Sequence, residues 1–254
     1  MESIMQFLIL AVLGLLGGVL AGVAGVGGGL VFVPTLVYVA GWEIKEAVAA
    51  SFVIIVFSSL SGTVRNVRSE DPTDWRAAAI LGSTVAPASL IGVFISSISP
   101  PTLVQAVFAM VLLTLAYPTA RGRGDPAESG RKIPVPLVLL AGVGVGALSG
   151  LVGVGGGVVM VPLMVLGLNI PTKRAVSTSL AVIFVTSIVA SLGYIVAGFA
   201  DLFSLVPLVL GSMIGAWLGV LLRDRLPEKV IRVGFACFMV VVALRTLGDA
   251  VGIL

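Results

Sequence analysis

The chain of 254 residues contains no histidine and a single cysteine, Cys237. These absences exclude an intramolecular disulfide, a zinc site built from cysteine and histidine, and a catalytic set of the Ser/His/Asp or Cys/His type. Cys237 lies in an apolar stretch and is interpreted as a small packing residue. We therefore predict no catalytic residue, no metal site and no cofactor, and an enzyme is disfavoured.

Charged residues are also scarce, at 11% of the chain against about 25% in soluble domains. So few charges cannot cover a surface that faces water, and 58% of the residues are hydrophobic. The apolar runs are long and lack the period-two alternation of membrane barrel strands. The composition predicts an all-α integral membrane protein embedded in a lipid bilayer. The basic excess has no interleaved aromatic residues, so no nucleic-acid partner is expected.

What the chain has in abundance is glycine, and one glycine-rich phrase occurs twice. It reads AGVAGVGGGLVFVP at 21–34 and SGLVGVGGGVVMVP at 149–162. Residues that are 128 positions apart also match at lysine, serine and proline positions around both phrases. One offset that holds for so many residue types indicates a tandem duplication.

The duplication predicts two membrane repeats, 1–127 and 128–254, which together form one transmembrane domain. The two repeats meet near the polar linker 121–132. Each repeat offers about five apolar segments, and an odd number of crossings inserts the second repeat upside down relative to the first. Inverted-topology repeats related by a pseudo-two-fold axis are a common build of secondary transporters.

Ten crossings also separate the positive charges. Only Lys45 and Arg245 fall on one side of the membrane. The other side receives Arg65, Arg68, Arg76, Arg121, Arg123, Arg131, Lys132, Lys173, Arg174, Arg223, Arg225, Lys229 and Arg232. Because Lys and Arg are retained in the cytoplasm, we expect a multi-pass protein of the cytoplasmic (inner) membrane with a retained first helix and both termini outside. If the second segment of each repeat does not cross, eight crossings result and the asymmetry weakens.

The glycine phrases lie in two intervals, 3–42 and 133–172, without any charged residue. Two helical crossings of a hydrocarbon core about 30 Å thick use about 40 residues, which leaves no room for a turn in water. Each GVGGG is therefore predicted to break a helix inside the membrane, near the pseudo-two-fold axis, where irregular backbone must pack in protein or line a cavity.

A helix that begins at such a break presents unpaired N–H groups, which favour an anion. The predicted substrate-binding residues are the break glycines and the prolines that follow them, namely Gly25, Gly27, Gly28, Gly29, Pro34, Gly153, Gly155, Gly156, Gly157 and Pro162. Pure packing is the alternative for these glycines, and packing is the favoured role of the upstream ladders Gly14, Gly18, Gly22 and Gly142, Gly146, Gly150.

Hydroxyl side chains follow the break in each repeat, on one side of the third segment. They are Ser51, Ser58, Ser59 and Thr63 in the first repeat and Ser179, Thr186, Ser187 and Ser191 in the second. Ser51 and Ser179 are the strongest substrate-binding candidates among them, since hydroxyls donate to an oxyanion without adding charge. Bonds to helix carbonyls are the alternative. Lys45 and Lys173 are predicted mouth charges or, alternatively, snorkelling lysines.

The doubled G-x-G-G-G, followed by V-P and then by A-V-x-x-S, resembles the TauE/SafE family of membrane permeases, also called sulfite exporters. In this chain the motif is GVGGG at 25–29 with Ala47-Val48-Ala49-Ala50-Ser51, and GVGGG at 153–157 with Ala175-Val176-Ser177-Thr178-Ser179. The resemblance covers essentially the whole chain. It implies a transporter for sulfite, sulfonates or related sulfur-containing organic anions. It also adds Thr178 to the candidates, because the family's T-S pair is kept in the second copy, whereas the first copy has Ala50.

The function predicted is therefore a secondary transporter that moves a small anion by alternating access. A passive anion channel is the alternative, since it could use the same helix ends. No Asp or Glu lies deep in an apolar segment, so a carboxylate proton relay is not visible. Coupling to a proton or sodium ion and assembly into a homo-oligomer are both compatible with the sequence.

Overall fold

The computed structural model describes residues 2–67, 72–121, 134–199, 205–223 and 228–251. These residues form helices joined by short turns, and no strand occurs among them. The helices are α1 (Glu2–Ala24), α2 (Gly29–Tyr38), α3 (Ile44–Asn66), α4 (Trp75–Ile98), α5 (Pro101–Arg121), α6 (Val135–Val152), α7 (Gly157–Leu168), α8 (Thr172–Val196), α9 (Val206–Arg223) and α10 (Glu228–Val251). The all-helical prediction is confirmed. Most of the predicted linker 121–132, with Arg123, Arg131 and Lys132, lies outside the described residues, as do Arg68 and Arg225.

Four helices in the described ranges are long and apolar enough to cross a membrane. They are Ile44–Asn66, Trp75–Ile98, Lys173–Val196 and Val206–Arg223. Shorter apolar stretches are Phe7–Val23, Gly29–Tyr38, Pro101–Tyr117 and Pro136–Val152. The chain is therefore a multi-pass membrane protein.

The second helix of each half is too short to cross. Helices α2 and α7 have 10 and 12 residues. At 1.5 Å per residue they extend about 15 and 18 Å, against a hydrocarbon core of about 30 Å. The prediction of ten complete crossings is therefore corrected: α2 and α7 do not span the hydrocarbon core. The glycine break divides each apolar interval into a long first helix and a short second one.

Glycine ladders hold two pairs of helices in close contact. A Cβ at Gly14 would lie within 2.9 Å of Leu208 Cα, and one at Gly18 within 2.8 Å of Ser212 Cα. Further along, Gly22 meets Ala216. Because these contacts advance in the same order along both helices, α1 and α9 run parallel. Close backbone approach through small residues is how helices associate in lipid, so the packing role of the ladder is supported.

The same arrangement occurs between α6 and α4. Gly142 packs on Thr84, Gly146 on Val85 and Gly150 on Ser89, again in parallel order. Exchanging each helix of the first half for its counterpart five helices later also leaves the larger remaining pairings unchanged. The pairs α3 with α8 and α5 with α10 each join a helix to its own counterpart. The contact of α3 with α9 corresponds to that of α8 with α4, and the contact of α2 with α3 corresponds to that of α7 with α8.

Candidate functional site

The two GVGGG segments interrupt the helices as predicted. Three glycines of each segment have positive φ, a region that only glycine adopts without strain. The φ values are 66° at Gly25, 79° at Gly27, 85° at Gly28, 77° at Gly153, 75° at Gly155 and 73° at Gly156. The same backbone turn is therefore present in both halves, and α2 and α7 begin directly after it.

The two breaks contact each other at the centre of the molecule. A Cβ at Gly29 would overlap the carbonyl oxygen of Gly153. Reciprocally, a Cβ at Gly157 would lie 2.6 Å from Gly25 O and 2.6 Å from Val26 Cα. Glycine at these positions is required because backbone of the other half occupies the space where a side chain would go. In this conformation the centre is closed, since all the break residues are buried.

Two equivalent serines tie each break to the opposite half. The Ser51 hydroxyl on α3 lies 2.9 Å from Gly153 O, and the Ser179 hydroxyl on α8 lies 2.6 Å from Gly25 O. Each hydroxyl also lies within hydrogen-bond distance of a carbonyl on its own helix. The structure thus brings both predicted serines to the breaks. Because a hydroxyl has one proton, here it is donated to backbone carbonyls and is not offered to a ligand.

Three of the neighbouring hydroxyls, those of Ser58, Ser59 and Thr186, bond to carbonyls of their own helix. Ser58 Oγ is 3.2 Å from Gly27 O and 3.2 Å from Ile55 O, and Ser59 Oγ also donates to Ile55 O. Thr186 Oγ1 donates to Val182 O at 2.9 Å. Back-bonding to helix carbonyls therefore describes Ser58, Ser59 and Thr186, and Ser58 also reaches a break. The buried hydroxyls of Thr63 and Ser187 have no hydrogen-bond partner among the described residues.

Apolar side chains fill the remaining space between the breaks. Ile55 and Ile183, which are 128 positions apart, are both fully buried. Their methyl groups pack on the glycines, with Ile183 Cγ2 2.8 Å from a Cβ at Gly27 and Ile183 Cδ1 2.6 Å from a Cβ at Gly157. The centre is thus lined by glycine backbone, serine hydroxyls and isoleucine, without a charged side chain among these nearest contacts.

The two prolines do not begin their helices. Pro34 is buried in the interior of α2, five residues after its first residue, rather than in the first turn. There it removes one intrahelical N–H donor. Pro162 occupies the matching place in the chain within α7, and its side chain lies outside what the structure describes.

The structure does not bring Thr178 to the breaks. Its hydroxyl donates to Arg174 O at 2.7 Å and accepts from the Asp74 amide at 2.9 Å. Asp74 in turn caps α4 by accepting from the Ala77 amide, and it forms an ion pair of 3.5 Å with Arg174. Thr178 therefore fixes the start of α4 against α8.

The two lysines occupy different surroundings. Lys45 is half-buried, and its ammonium donates to Ser97 O at 3.1 Å, at the C-terminal end of α4. A cation there is stabilised by the helix dipole. Lys173 is exposed at the start of α8. Neither lysine contacts a glycine break through a described hydrogen bond.

One polar cluster was missed by the sequence reasoning. Arg223, at the end of α9, is buried, and its guanidinium lies 3.2 Å from Ser177 Oγ and 3.4 Å from Asn66 Oδ1. Sequence analysis had counted Arg223 only as a cytoplasmic loop charge. The available signal was Asn66, the one amide side chain in the third segment, which faces inward at the end of α3.

Aromatic residues occupy the opposite end of α3 and α8. Tyr194 is fully buried and stacks on Phe52 with ring centroids 5.9 Å apart. Its hydroxyl donates to Gly150 O at 2.8 Å, one turn before the second break. Phe199 contacts the Tyr194 ring edge-on. These rings close the end of the helix pair that lies away from Arg223.

The electrostatics of the two breaks are set by helix ends. Two helix N-termini without side-chain caps begin at the centre, and an N-terminus carries roughly half a positive charge. In the described residues no group of three or more His, Cys, Asp or Glu could hold a metal ion.

The family model described as sulfite exporter TauE/SafE matches residues 10–246. The chain is 29% identical over 253 residues to the "Probable membrane transporter protein YunE" of Bacillus subtilis, covering 89% of this chain and 92% of that protein. It is 30% identical over 264 residues to a "Probable membrane transporter protein" of Haemophilus influenzae, covering 94% and 97%. An archaeal protein with a similar description, from Methanocaldococcus jannaschii, is 27% identical and covers 77% and 75%. No solved structure matches the chain.

Proposed function

This chain belongs to the sulfite exporter TauE/SafE family of membrane transporters, and we propose that it moves a small anion by alternating access as a secondary transporter. The anion proposed is sulfite, an organosulfonate or a related sulfur-containing organic anion. A transporter family is not an enzyme class, and a small substrate and a lipid bilayer follow from it as partners. The substrate itself and the mechanism are the proposal.

The halves are proposed to be inverted repeats, each consisting of a broken hairpin and three crossings. The parallel packing of α1 with α9 and of α6 with α4 supports this, as does the exchange of equivalent helix pairs. In this arrangement α1 enters, α2 returns to the same side, and α3, α4 and α5 then cross. The hairpin α6–α7 does the same from the opposite side.

This topology gives the same partition of positive charges as ten crossings. A hairpin that enters and returns brings the chain back to its starting side, as two full crossings would, so every later loop lies on the same side in both topologies. Lys45 and Arg245 remain alone on one side. We therefore propose that the end of α9 at Arg223 faces the cytoplasm and that both chain termini lie on the opposite, outer face of the cytoplasmic membrane.

The observation that carries the proposal is the meeting of two uncapped helix N-termini at the molecular centre. Gly28 and Gly156 cap α2 and α7 without any side-chain hydrogen bond. Broken helices whose positive ends point to the midplane are how secondary transporters bind anionic groups. Neutral donors hold an anion weakly enough for its release, which transport requires.

The closed centre implies movement. The breaks contact each other, and each is held by a serine of the opposite half. For an anion to reach the helix ends, one hairpin must separate from the facing α3 or α8 helix, on one side at a time. The two serine bonds are then the contacts that distinguish the closed state from either open one.

The test is anion flux in liposomes with one added methyl group. A Cβ at Gly156 would find its nearest neighbour at 3.2 Å, and the φ of 73° there strains any side chain by about 1 to 2 kcal/mol, so Gly156→Ala covers the start of α7 at a modest cost in stability. We expect roughly tenfold slower sulfite or methanesulfonate flux, the scale of one lost charge-assisted hydrogen bond. Gly41→Ala is the matched control, because Gly41 has the same φ of 73° and nothing lies within 4 Å of its Cβ.

Unchanged flux in folded Gly156→Ala would end the role of the break in anion binding. Counterflow separates a carrier from a channel: internal unlabelled anion should accelerate entry of labelled anion through a carrier. A wild-type protein that passes the anion without this acceleration would be a passive channel.

A further inference from the structure

Among the described residues, four buried hydroxyls have no hydrogen-bond partner, those of Thr63, Ser96, Ser149 and Ser187. Of these, Ser149 lies beside the start of α7. It lies in the last turn of α6 with 2% of its surface exposed, and its Oγ has no hydrogen-bond partner among the described residues. Most buried helix hydroxyls in this chain donate to a main-chain carbonyl, as Ser89 and Ser212 do. An unpartnered buried hydroxyl costs free energy, so a site that retains one calls for a ligand or another explanation.

This hydroxyl lies beside the start of α7. Ser149 O accepts from the Gly153 amide, which ends α6 at the break. The Oγ lies 3.5 Å from the position of a Cβ at Gly156, the residue that caps α7. Gly156 O already accepts the amides of Val159 and Met160. An anion at this end of α7 would accept hydrogen bonds from the amides that precede Val159 and from the Ser149 hydroxyl.

The first break has the same backbone but no such donor. The residue that matches Ser149 at the offset of 128 is Ala21, which is fully buried. A Cβ at Gly28 would lie 3.2 Å from Ala21 Cβ and only 2.6 Å from Phe32 Cε2. A methyl group and an aromatic ring therefore cover the start of α2, where the second break has a hydroxyl and looser packing.

From this difference we infer that the anionic head of the substrate binds at the second break, between the Ser149 hydroxyl and the N-terminus of α7, and that it is singly charged. The inference rests on the proposed function and deepens it. Ser149 is then a substrate-binding residue, and the first break serves as the apolar wall opposite it.

The single charge follows from the surroundings. Residues 3–42 and 133–172, which include both breaks, contain no charged side chain. The cost of transferring an ion into a low-dielectric site grows with the square of its charge, while a neutral hydroxyl and a helix end supply only partial charges. A sulfonate or hydrogen sulfite therefore fits this end better than a divalent anion such as sulfate.

The experiment measures thermal stabilisation of detergent-purified protein by methanesulfonate, with sulfate at equal ionic strength and neutral dimethyl sulfone as comparison ligands. Ser149→Ala should raise the apparent Kd for methanesulfonate about tenfold, the scale of one hydrogen bond to a charged group. Without ligand its melting temperature should be unchanged or slightly higher, because the substitution removes an unpartnered hydroxyl. A purely structural role would instead lower the melting temperature.

Ala21→Ser is the matched variant, since it adds the hydroxyl at the equivalent position of the first break. Its Kd for methanesulfonate should stay within about twofold of wild type. A wild-type Kd in folded Ser149→Ala, or equal stabilisation by sulfate and methanesulfonate, would overturn this inference and leave the proposed function standing. If no anion stabilises the wild-type protein and none is transported, the proposed function fails, and the inference fails with it.

Discussion

The two ends of the central helix pair, α3 with α8, are built on equivalent positions but have opposite chemistry. At one end Arg223 lies against Asn66 and Ser177. The residue 128 positions after Asn66 is Tyr194, and the residue 127 positions before Arg223 is Ser96. A buried cation with polar partners at one end thus corresponds to a stacked aromatic ring at the other.

Between these ends, the two glycine breaks and their serine bonds are nearly the same in both halves. Gly25 and Gly153 share their left-handed backbone, and Ser51 and Ser179 make matching bonds across the pair. The comparison teaches that the two halves share their geometry where their backbones touch and differ at the two ends of the α3–α8 pair. Symmetry is therefore expected of substitutions at the centre and asymmetry of substitutions at the ends.

The largest effect is expected from a methyl group where the two breaks meet. Gly29→Ala and Gly157→Ala each place a Cβ against backbone of the opposite half, which cannot move aside as a side chain could. We expect each to destabilise the fold by about 3 kcal/mol or more, at the upper end of overpacking costs. Yield of monodisperse protein and the melting temperature in detergent measure this.

Both variants should fail to a similar degree if the centre is symmetric. Gly144→Ala serves as the reference, because its Cβ meets open space and alanine is the better helix former. A stable Gly29→Ala protein beside an unstable Gly157→Ala protein would show that the contact is one-sided.

A smaller and unequal effect is expected at the two ends. Arg223→Gln removes the charged donor to Asn66 and Ser177, and we expect a loss of about 2 kcal/mol, typical of hydrogen bonds to a charged group. Tyr194→Phe removes only the hydroxyl bond to Gly150 O and keeps the ring, so about 1 kcal/mol is expected. Urea or thermal unfolding followed by circular dichroism compares the two. The reverse order would contradict the distinction between a polar end and an aromatic end.

The smallest effect concerns the matched serines. Ser51→Ala and Ser179→Ala each remove one hydroxyl bond to the opposite break, for which we expect about 1 kcal/mol. The two losses should agree within about 0.5 kcal/mol, since their carbonyl partners are equivalent. Melting temperatures measured side by side test this. A difference of several degrees would mean that only one of the bonds supports the closed state.

Much of the centre could be predicted from the sequence, because glycine in an uncharged apolar interval leaves few conformations open. The offset of 128 located both breaks and both serines, and the spacing of four residues in the glycine ladders anticipated their packing. Hydropathy alone did not show that α2 and α7 are too short to cross. An apolar helix has the same composition whether it spans the membrane or stops halfway.

The asymmetric residues escaped for a different reason. A search for matching positions favours residues that both halves keep, so Ser149 opposite Ala21 was passed over. Arg223 ends an apolar segment, where a positive charge usually marks the membrane surface. That its side chain turns inward to Asn66 is a tertiary contact between α9 and α3, which no local pattern encodes.

The reciprocal serine bonds also bear on leakage. Under the proposed alternating access, opening a path past one break leaves the serine bond at the other break, Ser51 with Gly153 or Ser179 with Gly25, to keep the far side closed. A state open to both compartments would have to lose both bonds together. That costs more than losing either one, and it limits the escape of ions down a membrane potential worth about 2.3 kcal/mol per charge at 100 mV. In this proposed mechanism, insulation of the bilayer during turnover depends on two hydroxyl groups, each bonded to backbone of the opposite half.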